Sequence, residues 1–460
     1  MEFTVRDIVA ATGGRLVRGD PDGRAGTIGT DTRTLARGQT FLALRGPRFD
    51  GHDFLGEAAA RGASCLVVDR PLAASEGGGA TGPAVVQVAR THGALLDLGA
   101  AARARLTCPV VAVTGACGKT TAKEMIGQVL GRHRRGRTPP KSFNNQVGVP
   151  LALVAAEPDD EFVVLEFGTS APGEIAALAR VGRPTIGVVM LVAPVHLEGL
   201  GSIEGVAREK AALVDALGPE GTAVLNADDP RVAAMARRSR GRVVTFGVEQ
   251  AADVRASDLV QTEQGIRFSV GEVHFAVPVL GGHQALAALA AAAVAGEFGV
   301  SLSAAAEALR GFEAPPMRLA LGRAGDVLVL NDAYNANPAS MRAALALLDL
   351  WPRRRKVFFC GDMLELGPAA PAAHQDLGRQ AAEAGVERLV TVGRLTEATA
   401  RLARQAGLRP EAVTAAPDAA SAAAQAPAIV RPGDLVLVKG SRAIGMEKIV
   451  EALIGAENDG

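Results

Sequence analysis

Short apolar runs recur along the chain, and stretches with the spacing of amphipathic helices separate them. In residues 1–107 the apolar runs are TFLAL (40–44), CLVVD (65–69) and AVVQV (84–88). A helical stretch covers residues 56–62, and the glycine-rich segment 75–83 has the composition of a loop. This alternation of strand and helix signals predicts a small N-terminal α/β domain.

The same alternation of strand and helix patterns continues through two further segments of the chain. In residues 108–312 the runs EFVVLEFG (161–168), TIGVVML (185–191) and GTAVLNADDP (221–230) end in polar residues and alternate with helical patterns. The proline pair in EAPPMR (313–318) suggests a hinge between domains. After it, apolar runs again alternate with helical patterns through residues 313–460. The pattern predicts three α/β domains: a small N-terminal one, a central one of the P-loop ATPase type with a mostly parallel sheet, and a Rossmann-like C-terminal one. Ligands are then expected at the carboxyl ends of the strands.

Composition and charge narrow the class of protein. A chain of 460 residues is longer than a single hydrophobic core usually organises, so two or three domains are expected. Its 49 basic residues balance 49 acidic ones, so no overall electrostatic field favours binding of nucleic acid or of an anionic membrane. The basic run at 132–137 has no interleaved aromatic residue and is interpreted as a solvated loop. Four scattered cysteines without a CxxC pair indicate neither a zinc site nor a disulfide framework. With no signal-peptide pattern and no apolar run long enough for a bilayer, a cytoplasmic protein is expected.

The segment TGACGKTT (114–121) stands between the strand pattern PVVAV and the helical pattern AKEMIGQVL. Glycines there let backbone N–H groups turn toward a phosphate, a lysine reaches the outer phosphates, and a threonine hydroxyl can bind Mg²⁺. The spacing departs from the usual P-loop, because only two residues separate its glycines. The alternative is a glycine-rich turn that binds nothing, but the flanking strand and helix favour ATP binding. The residues predicted to contact ATP here are Gly115, Ala116, Cys117, Gly118, Lys119, Thr120 and Thr121.

Further motifs follow in a characteristic order: KSFNNQVGVPLAL (141–153), EFGTSAPGEI (166–175), VHLEGLGSIEGVAREKAAL (195–213), PPMR (315–318), NDAYNANPASM (331–341), GDMLELG (361–367) and VKGSRAIGMEKIV (438–450). Together with the P-loop and with DTRTLARGQTFLALRGPRFDGHDF (31–54), this set resembles the Mur ligase family over nearly the whole chain. YNANPASM and GDMLELG resemble the branch of that family that adds D-alanyl-D-alanine to a UDP-N-acetylmuramoyl tripeptide.

The resemblance implies an ATP-dependent amide-bond ligase of peptidoglycan synthesis. ATP would phosphorylate the carboxylate of the tripeptide, and the amine of the dipeptide would attack the acyl phosphate. Two alternatives remain: a sibling ligase with another acceptor, and a non-catalytic P-loop nucleotide-binding module. The partners expected are small molecules, with no nucleic acid and no membrane insertion, and the protein is expected to be a monomer.

The resemblance also implies the catalytic and metal-binding residues. Lys119, Glu166, His196 and Lys210 are the predicted catalytic residues, and Thr120 and Glu166 would bind one Mg²⁺. His196 would bind a second Mg²⁺, and Lys210 would carry a carbamate formed with CO₂ that supplies oxygen ligands. Taken alone, a histidine such as His196 is more often a packed or solvated residue than a metal ligand. The alternative for Lys210 is a solvated lysine on a helix.

Other contacts are implied for the nucleotide and the two substrates. Arg318 and Asp332 would reach the phosphates and ribose of ATP, and His283 is a candidate for the adenine side, where Gln284 and Ala287 replace the usual asparagines. The uridine diphosphate candidates are Thr32 and Arg33. Asn144 and Asn145 are candidates for substrate or phosphate, with a structural loop role as the alternative. The residues expected to line the dipeptide site are Tyr334, Asn335 and Asn337.

Overall fold

The computed structural model describes residues 1–46, 49–73, 76–140 and 142–455. The N-terminal domain contains a five-stranded mixed sheet in the order β2-β9-β8-β5-β4, in which only the pairing of β2 with β9 is antiparallel. Its strands are β1 (Phe3–Thr4), β2 (Arg15–Arg18), β3 (Arg24–Gly26), β4 (Ile28–Gly29), β5 (Thr40–Leu42), β6 (Arg45–Gly46), β7 (Phe49–Asp50), β8 (Cys65–Val68) and β9 (Ala84–Gln87), and its helices are α1 (Val5–Thr12), α2 (Leu55–Ala60) and α3 (Thr91–Arg105).

One local prediction in this domain is wrong. The glycine-rich segment predicted as a loop contains a 3₁₀ helix over Glu76–Thr81, and its first residue, Ser75, lies outside the described residues. Glu76 accepts hydrogen bonds from the Arg70 guanidinium and from the Ala73 amide. These bonds hold the start of a short helix that glycine composition alone disfavours.

The central domain is built on a fully parallel six-stranded sheet in the order β11-β10-β12-β13-β14-β15, followed by a three-stranded antiparallel sheet β16-β17-β18. Its strands are β10 (Val110–Thr114), β11 (Val163–Glu166), β12 (Ile186–Val189), β13 (Thr222–Asn226), β14 (Arg242–Gly247), β15 (Val254–Arg255), β16 (Ser257–Thr262), β17 (Gly265–Val270) and β18 (Val273–Val277). Its helices are α4 (Lys119–Gly131), α5 (Gly148–Ala155), α6 (Glu174–Gly182), α7 (Leu197–Leu200), α8 (Ile203–Asp215), α9 (Pro230–Ala233), α10 (Ala285–Glu297) and α11 (Leu302–Leu309).

The C-terminal domain has a six-stranded sheet in the order β19-β20-β24-β21-β22-β23, in which only the edge strand β19 is antiparallel. Its strands are β19 (Ala320–Ala324), β20 (Val327–Asp332), β21 (Lys356–Gly361), β22 (Arg388–Val392), β23 (Val413–Ala416) and β24 (Leu435–Lys439). Its helices are α12 (Pro338–Ala346), α13 (Ala370–Glu383), α14 (Thr396–Gln405), α15 (Ala419–Ile429) and α16 (Glu447–Ile454).

Strand burial explains why the apolar runs fold this way. Every residue of β10 and β24 is buried, as expected for central strands of a sheet covered by helices on both faces. Helix α10 buries ten of its residues, mostly alanines, against α4 and the central sheet. The prediction of three α/β domains is confirmed. No helix in the described parts of the chain has both the length and the apolar composition needed to cross a membrane.

Candidate active site

A cavity of about 660 Å³ lies between the central and C-terminal domains. The carboxyl ends of four strands, β10, β11, β20 and β24, lie at this cavity. Ligands of parallel α/β sheets bind at the carboxyl ends of the strands. Among the residues predicted for the site, those that line the cavity are Ala116, Cys117, Gly118, Lys119, Thr120, Thr121, Asn144, Asn145, Glu166, His196, His283, Arg318, Asp332, Tyr334, Asn335 and Asn337.

The P-loop has the conformation that a phosphate site requires. Gly118 has φ +80° and caps the N-terminus of α4, and a Cβ at Gly115, where φ is +153°, would lie 2.9 Å from Met190 Cβ. The Nζ of Lys119 donates to the Gly115 carbonyl at 2.8 Å, so the lysine folds back over the loop. Burial lowers the pKa of Lys119, against the opposing charge of Glu166. The loop therefore presents a cation and a helix N-terminus to the cavity.

Glu166 is held by three side chains from two segments of the central domain, the start of α4 and the loop before α5. Its Oε2 accepts from Thr120 Oγ1 at 2.8 Å, and its Oε1 accepts from Ser142 Oγ at 2.8 Å and Asn144 Nδ2 at 2.9 Å. Burial by itself would raise the pKa of Glu166, but Lys119 and these donors outweigh it and hold the pKa below its ordinary value. The carboxylate is thus ionised and directed toward the P-loop.

This donor set fits Mg²⁺. Within the described residues no three His, Cys, Asp or Glu side chains cluster as a closed metal site. Mg²⁺ does not need one, because it is usually bound by one or two carboxylates or hydroxyls together with phosphates and water. The adjacent Thr120 hydroxyl and Glu166 carboxylate, beside a phosphate loop, are donors of that kind.

Lys210 lies on α8 and does not line the cavity, although its charge contributes to the lowered pKa of His196. Its side chain is 1% exposed, so the solvated-lysine alternative is wrong. Among the described residues its Nζ has no hydrogen-bond or ion-pair partner, whereas the neighbouring Glu209 accepts from the Gly173 and Ile175 amides. Burial, together with the charge of Lys119, lowers the pKa of Lys210 to about 7. A buried amine that is substantially neutral at neutral pH is chemically competent to react with CO₂.

His196 lies at the interface with the C-terminal domain. Its Nδ1 is 2.5 Å from Glu365 Oε2, and both residues have positive φ, +52° and +62°. Burial lowers the pKa of His196, with Glu365 opposing this effect. The side chain therefore faces the cavity and is also part of the contact between two domains.

The C-terminal domain contributes a guanidinium that contacts the P-loop. Arg318 Nη2 donates to Thr120 Oγ1 at 2.9 Å, and the Arg318 Cζ lies 4.1 Å from the centre of the Tyr334 ring. Asn337 Nδ2 donates to Cys117 Sγ at 3.3 Å while its Oδ1 caps α12. These two contacts bring the C-terminal domain against the phosphate loop.

Asp332 is paired with a buried lysine. The Lys439 Nζ lies 2.5 Å from Asp332 Oδ2 and donates to the Asn335 carbonyl at 2.8 Å. Asp332 Oδ1 also accepts from the Leu319 amide at 3.2 Å. The carboxylate is therefore fixed at the cavity wall, at the end of β20.

Asn145 lines the cavity, and its side chain also has the structural loop role that is the alternative to substrate binding. Its Oδ1 accepts from the Val147 and Gly148 amides at the start of α5. His283 and Gln284 both line the cavity from the segment before α10.

The structure does not bring the predicted uridine diphosphate residues to this cavity. Thr32 is buried and Arg33 is exposed, with its guanidinium on Asp31. Both lie in the N-terminal domain, and neither lines the cavity.

Four residues at or beside the site were not predicted from sequence: Ser142, Glu365, Lys439 and Arg442. Glu365, Lys439 and Arg442 belong to the motifs GDMLELG and VKGSRAIGMEKIV, which had been recognised without assigning a role to any of their side chains. The usable signal is their position at or just after the carboxyl ends of β21 and β24, where ligands bind in a Rossmann-like sheet.

Comparisons with known proteins agree with this geometry. Residues 25–108 match the model described as Mur ligase family, catalytic domain, residues 113–295 match the Mur ligase middle domain, and residues 317–442 match the Mur ligase, glutamate ligase domain. The UDP-N-acetylmuramoyl-tripeptide–D-alanyl-D-alanine ligase of Mycobacterium tuberculosis is 36% identical over 508 aligned positions, covering 100% of this chain and 99% of the relative.

Two solved structures share the arrangement of the domains. MurF from Acinetobacter baumannii has a TM-score of 0.88 at 30% identity, with 99% of both chains covered. MurF from Thermotoga maritima in complex with ADP has a TM-score of 0.80 at 25% identity, covering 95% of this chain and 98% of that one. With three matching family models in the expected order, full-length identity above 30% and a P-loop that faces the third domain, the chain belongs to the Mur ligase family.

Proposed function

We propose that this chain is a MurF-type ligase, which joins D-alanyl-D-alanine to UDP-N-acetylmuramoyl-tripeptide with ATP and yields ADP and phosphate. The product would be the UDP-N-acetylmuramoyl-pentapeptide precursor of peptidoglycan. The observation that carries the proposal is the meeting of Lys119, Glu166 and Arg318 around one cavity, in a chain that its D-alanyl-D-alanine-adding relatives match end to end. Positioning and charge stabilisation are what phosphoryl transfer to a carboxylate requires.

ATP binds in this cavity with its phosphates on the P-loop. Lys119 and the loop amides would hold the outer phosphates, and Arg318 would add a second cation from the C-terminal domain. Asp332, fixed by Lys439, would accept from the ribose, and His283 would lie on the adenine side. Since Arg318 comes from another domain, the phosphate site is complete only when the domains are closed.

Thr120, Glu166 and His196 would hold Mg²⁺, together with a carbamate on Lys210. Bound Mg²⁺ would neutralise charge on the phosphates and on the carboxylate that receives the phosphoryl group. The Lys210 ammonium would first lose one proton, and the neutral amine would then form an N–C bond to CO₂ and release a second proton. The two steps together replace a buried cation by an anion. Support comes from the unpartnered burial of Lys210 among the described residues, which is costly for an ammonium group.

Substrate contacts complete the assignment. Thr32 and Arg33 would bind the uridine diphosphate end in the N-terminal domain. Asn144 and Asn145 would contact the acyl-phosphate side. The dipeptide would be bound by Tyr334, Asn335 and Asn337.

We place the domain limits at 1–107, 108–312 and 313–460. A monomeric, cytoplasmic protein remains our expectation.

The test is incubation of the purified protein with ATP, Mg²⁺, UDP-muramoyl tripeptide and D-alanyl-D-alanine, followed by mass spectrometry. The expected result is UDP-muramoyl pentapeptide, with one phosphate released per amide formed and none released without the dipeptide. A sibling ligase would instead release phosphate with a free amino acid, and a nucleotide-binding module would hydrolyse ATP slowly whatever acceptors are present.

A further inference from the structure

Among the described residues, four lysine or arginine side chains line the cavity, and three of them are already engaged in its nucleotide half. Lys119 folds over the P-loop, Arg318 contacts Thr120, and Lys439 is neutralised by Asp332. The fourth, Arg442, lies just after the end of β24, and its side chain is 54% exposed.

One edge of the Arg442 guanidinium contacts no polar group of the residues that the structure describes. Both of its polar contacts use Nη1, which lies 3.1 Å from Glu447 Oε1 and 3.4 Å from Met317 Sδ. Its Cζ is 6.0 Å from the centre of the Tyr334 ring. Across the described part of the chain, Nε and Nη2 have no partner. This pair of N–H donors matches the two oxygens of a carboxylate.

The chemistry of the proposed function requires such a cation. The amine of the dipeptide must be neutral to attack the acyl phosphate, whereas the dipeptide's own terminal carboxylate stays ionised throughout. A carboxylate that enters a partly enclosed cavity needs a charged partner to offset lost hydration. Glu447 holds Arg442 at the wall next to Tyr334 and Asn335, which also line the cavity.

We propose that Arg442 binds the terminal carboxylate of the incoming dipeptide through Nε and Nη2 and thereby selects an amine substrate that ends in a free carboxylate. The inference rests on the proposed function and extends it by naming the residue that binds the C-terminal end of the dipeptide. Because a carboxylate held in this way changes little during amide formation, the contact contributes to binding of the dipeptide more than to the chemical step.

The test compares D-alanyl-D-alanine with its C-terminal carboxamide, in wild type, Arg442→Ala and Arg442→Lys. For wild type we expect the KM for the carboxamide to exceed that for the dipeptide by roughly 10- to 100-fold, the range of a charge-assisted bidentate contact. Arg442→Ala should raise the KM for the dipeptide by a similar factor and leave the KM for the carboxamide unchanged. Arg442→Lys, which keeps the charge without the paired donors, should fall between them.

Arg409→Ala is the matched control, because Arg409 is an exposed arginine of the same domain, paired with Glu411 and outside the cavity. It should behave as wild type. Discrimination between dipeptide and carboxamide that survives in Arg442→Ala would overturn the proposal. So would a raised KM for ATP with an unchanged KM for the dipeptide, since Arg442 would then serve the nucleotide. If wild type uses a free amino acid in place of the dipeptide, the proposed function itself fails, and a wild-type assay without any variant reveals it.

Discussion

Replacing Lys210 with methionine should make the protein more stable at neutral pH and inactive as a ligase. The side chain is 1% exposed, and its ammonium has no partner in the part of the chain that the structure describes. Methionine has a similar length without the charge, so it removes the cost of desolvation while filling the same space.

The magnitude follows from the pKa. The pKa of Lys210 falls from its ordinary 10.5 to about 7, and each unit corresponds to about 1.36 kcal/mol, so burying the charged form costs at most about 5 kcal/mol. In the unfolded chain the lysine keeps its ordinary pKa and retains its proton between pH 7 and 10.5, where the folded chain loses it. Stability therefore rises with pH through that window, by roughly 2–3 kcal/mol between pH 6 and 9 from this group.

The assay is chemical denaturation of wild type and Lys210→Met from pH 6 to 9 in buffer free of CO₂. The free energy of unfolding of Lys210→Met should exceed that of wild type most at pH 6, and the difference should shrink as pH rises. Bicarbonate should stabilise wild type at pH 7 to 8, since a carbamate is an anion near Lys119, and should leave the variant unchanged. In ligase assays Lys210→Ala should be inactive and partly rescued by a short carboxylic acid.

Lys123→Met is the matched control for the stability effect. Lys123 is equally buried, but it donates to the Pro139 carbonyl at 2.7 Å and pairs with Glu124 at 2.8 Å. Removing it should therefore destabilise the protein, opposite in sign to Lys210→Met. If both substitutions destabilise equally at pH 6, Lys210 has compensating partners and the argument from unpartnered burial is refuted.

Two further substitutions test other parts of the site. Glu166→Gln keeps the shape of the group that accepts from Thr120 and Ser142 but removes its charge, so ligase kcat should fall roughly 100- to 1000-fold while the melting temperature changes little. Tyr334→Ala should lower kcat/KM for ATP by roughly 2- to 30-fold, because it removes the ring under the Arg318 guanidinium, whereas Tyr334→Phe should be neutral. A loss in Tyr334→Phe, confined to the KM for the dipeptide, would instead show that the hydroxyl contacts that substrate.

The parts of the molecule that could be predicted from sequence are those with a local signal. The strands β10 and β11 and the P-loop are short patterns in which burial, turn chemistry and helix start coincide within a few residues. The antiparallel sheet β16–β18 was not predicted, because β16 is largely exposed and lacks a clear apolar alternation. The burial of Lys210 could not be predicted either, because the sequence of α8 has the pattern of an ordinary amphipathic helix and only tertiary packing covers that position.

Contacts between side chains far apart in the sequence could not be predicted, for a different reason. Glu365 reaches His196 from 169 residues away, and Lys439 reaches Asp332 from 107 residues away. No spacing rule connects positions so far apart in one sequence. Recognition of the motifs identified the segments, but not which side chain in each segment meets a partner. That depends on tertiary packing, because the first pair joins two domains and the second joins two adjacent strands of the C-terminal sheet.

The contacts also imply an order of assembly. Thr120, Ser142, Asn144 and Glu166 all belong to the central domain, so the carboxylate half of the nucleotide site is complete whatever the C-terminal domain does. Arg318, from the C-terminal domain, donates to the Thr120 hydroxyl. If the two domains separate, nucleotide would first bind through the P-loop of the central domain, and closure would then supply the second cation at the phosphates. Because Arg442 belongs to the same C-terminal domain, the movement that completes the phosphate site also brings the proposed dipeptide carboxylate site to the cavity, so phosphoryl transfer and amine delivery depend on one closure.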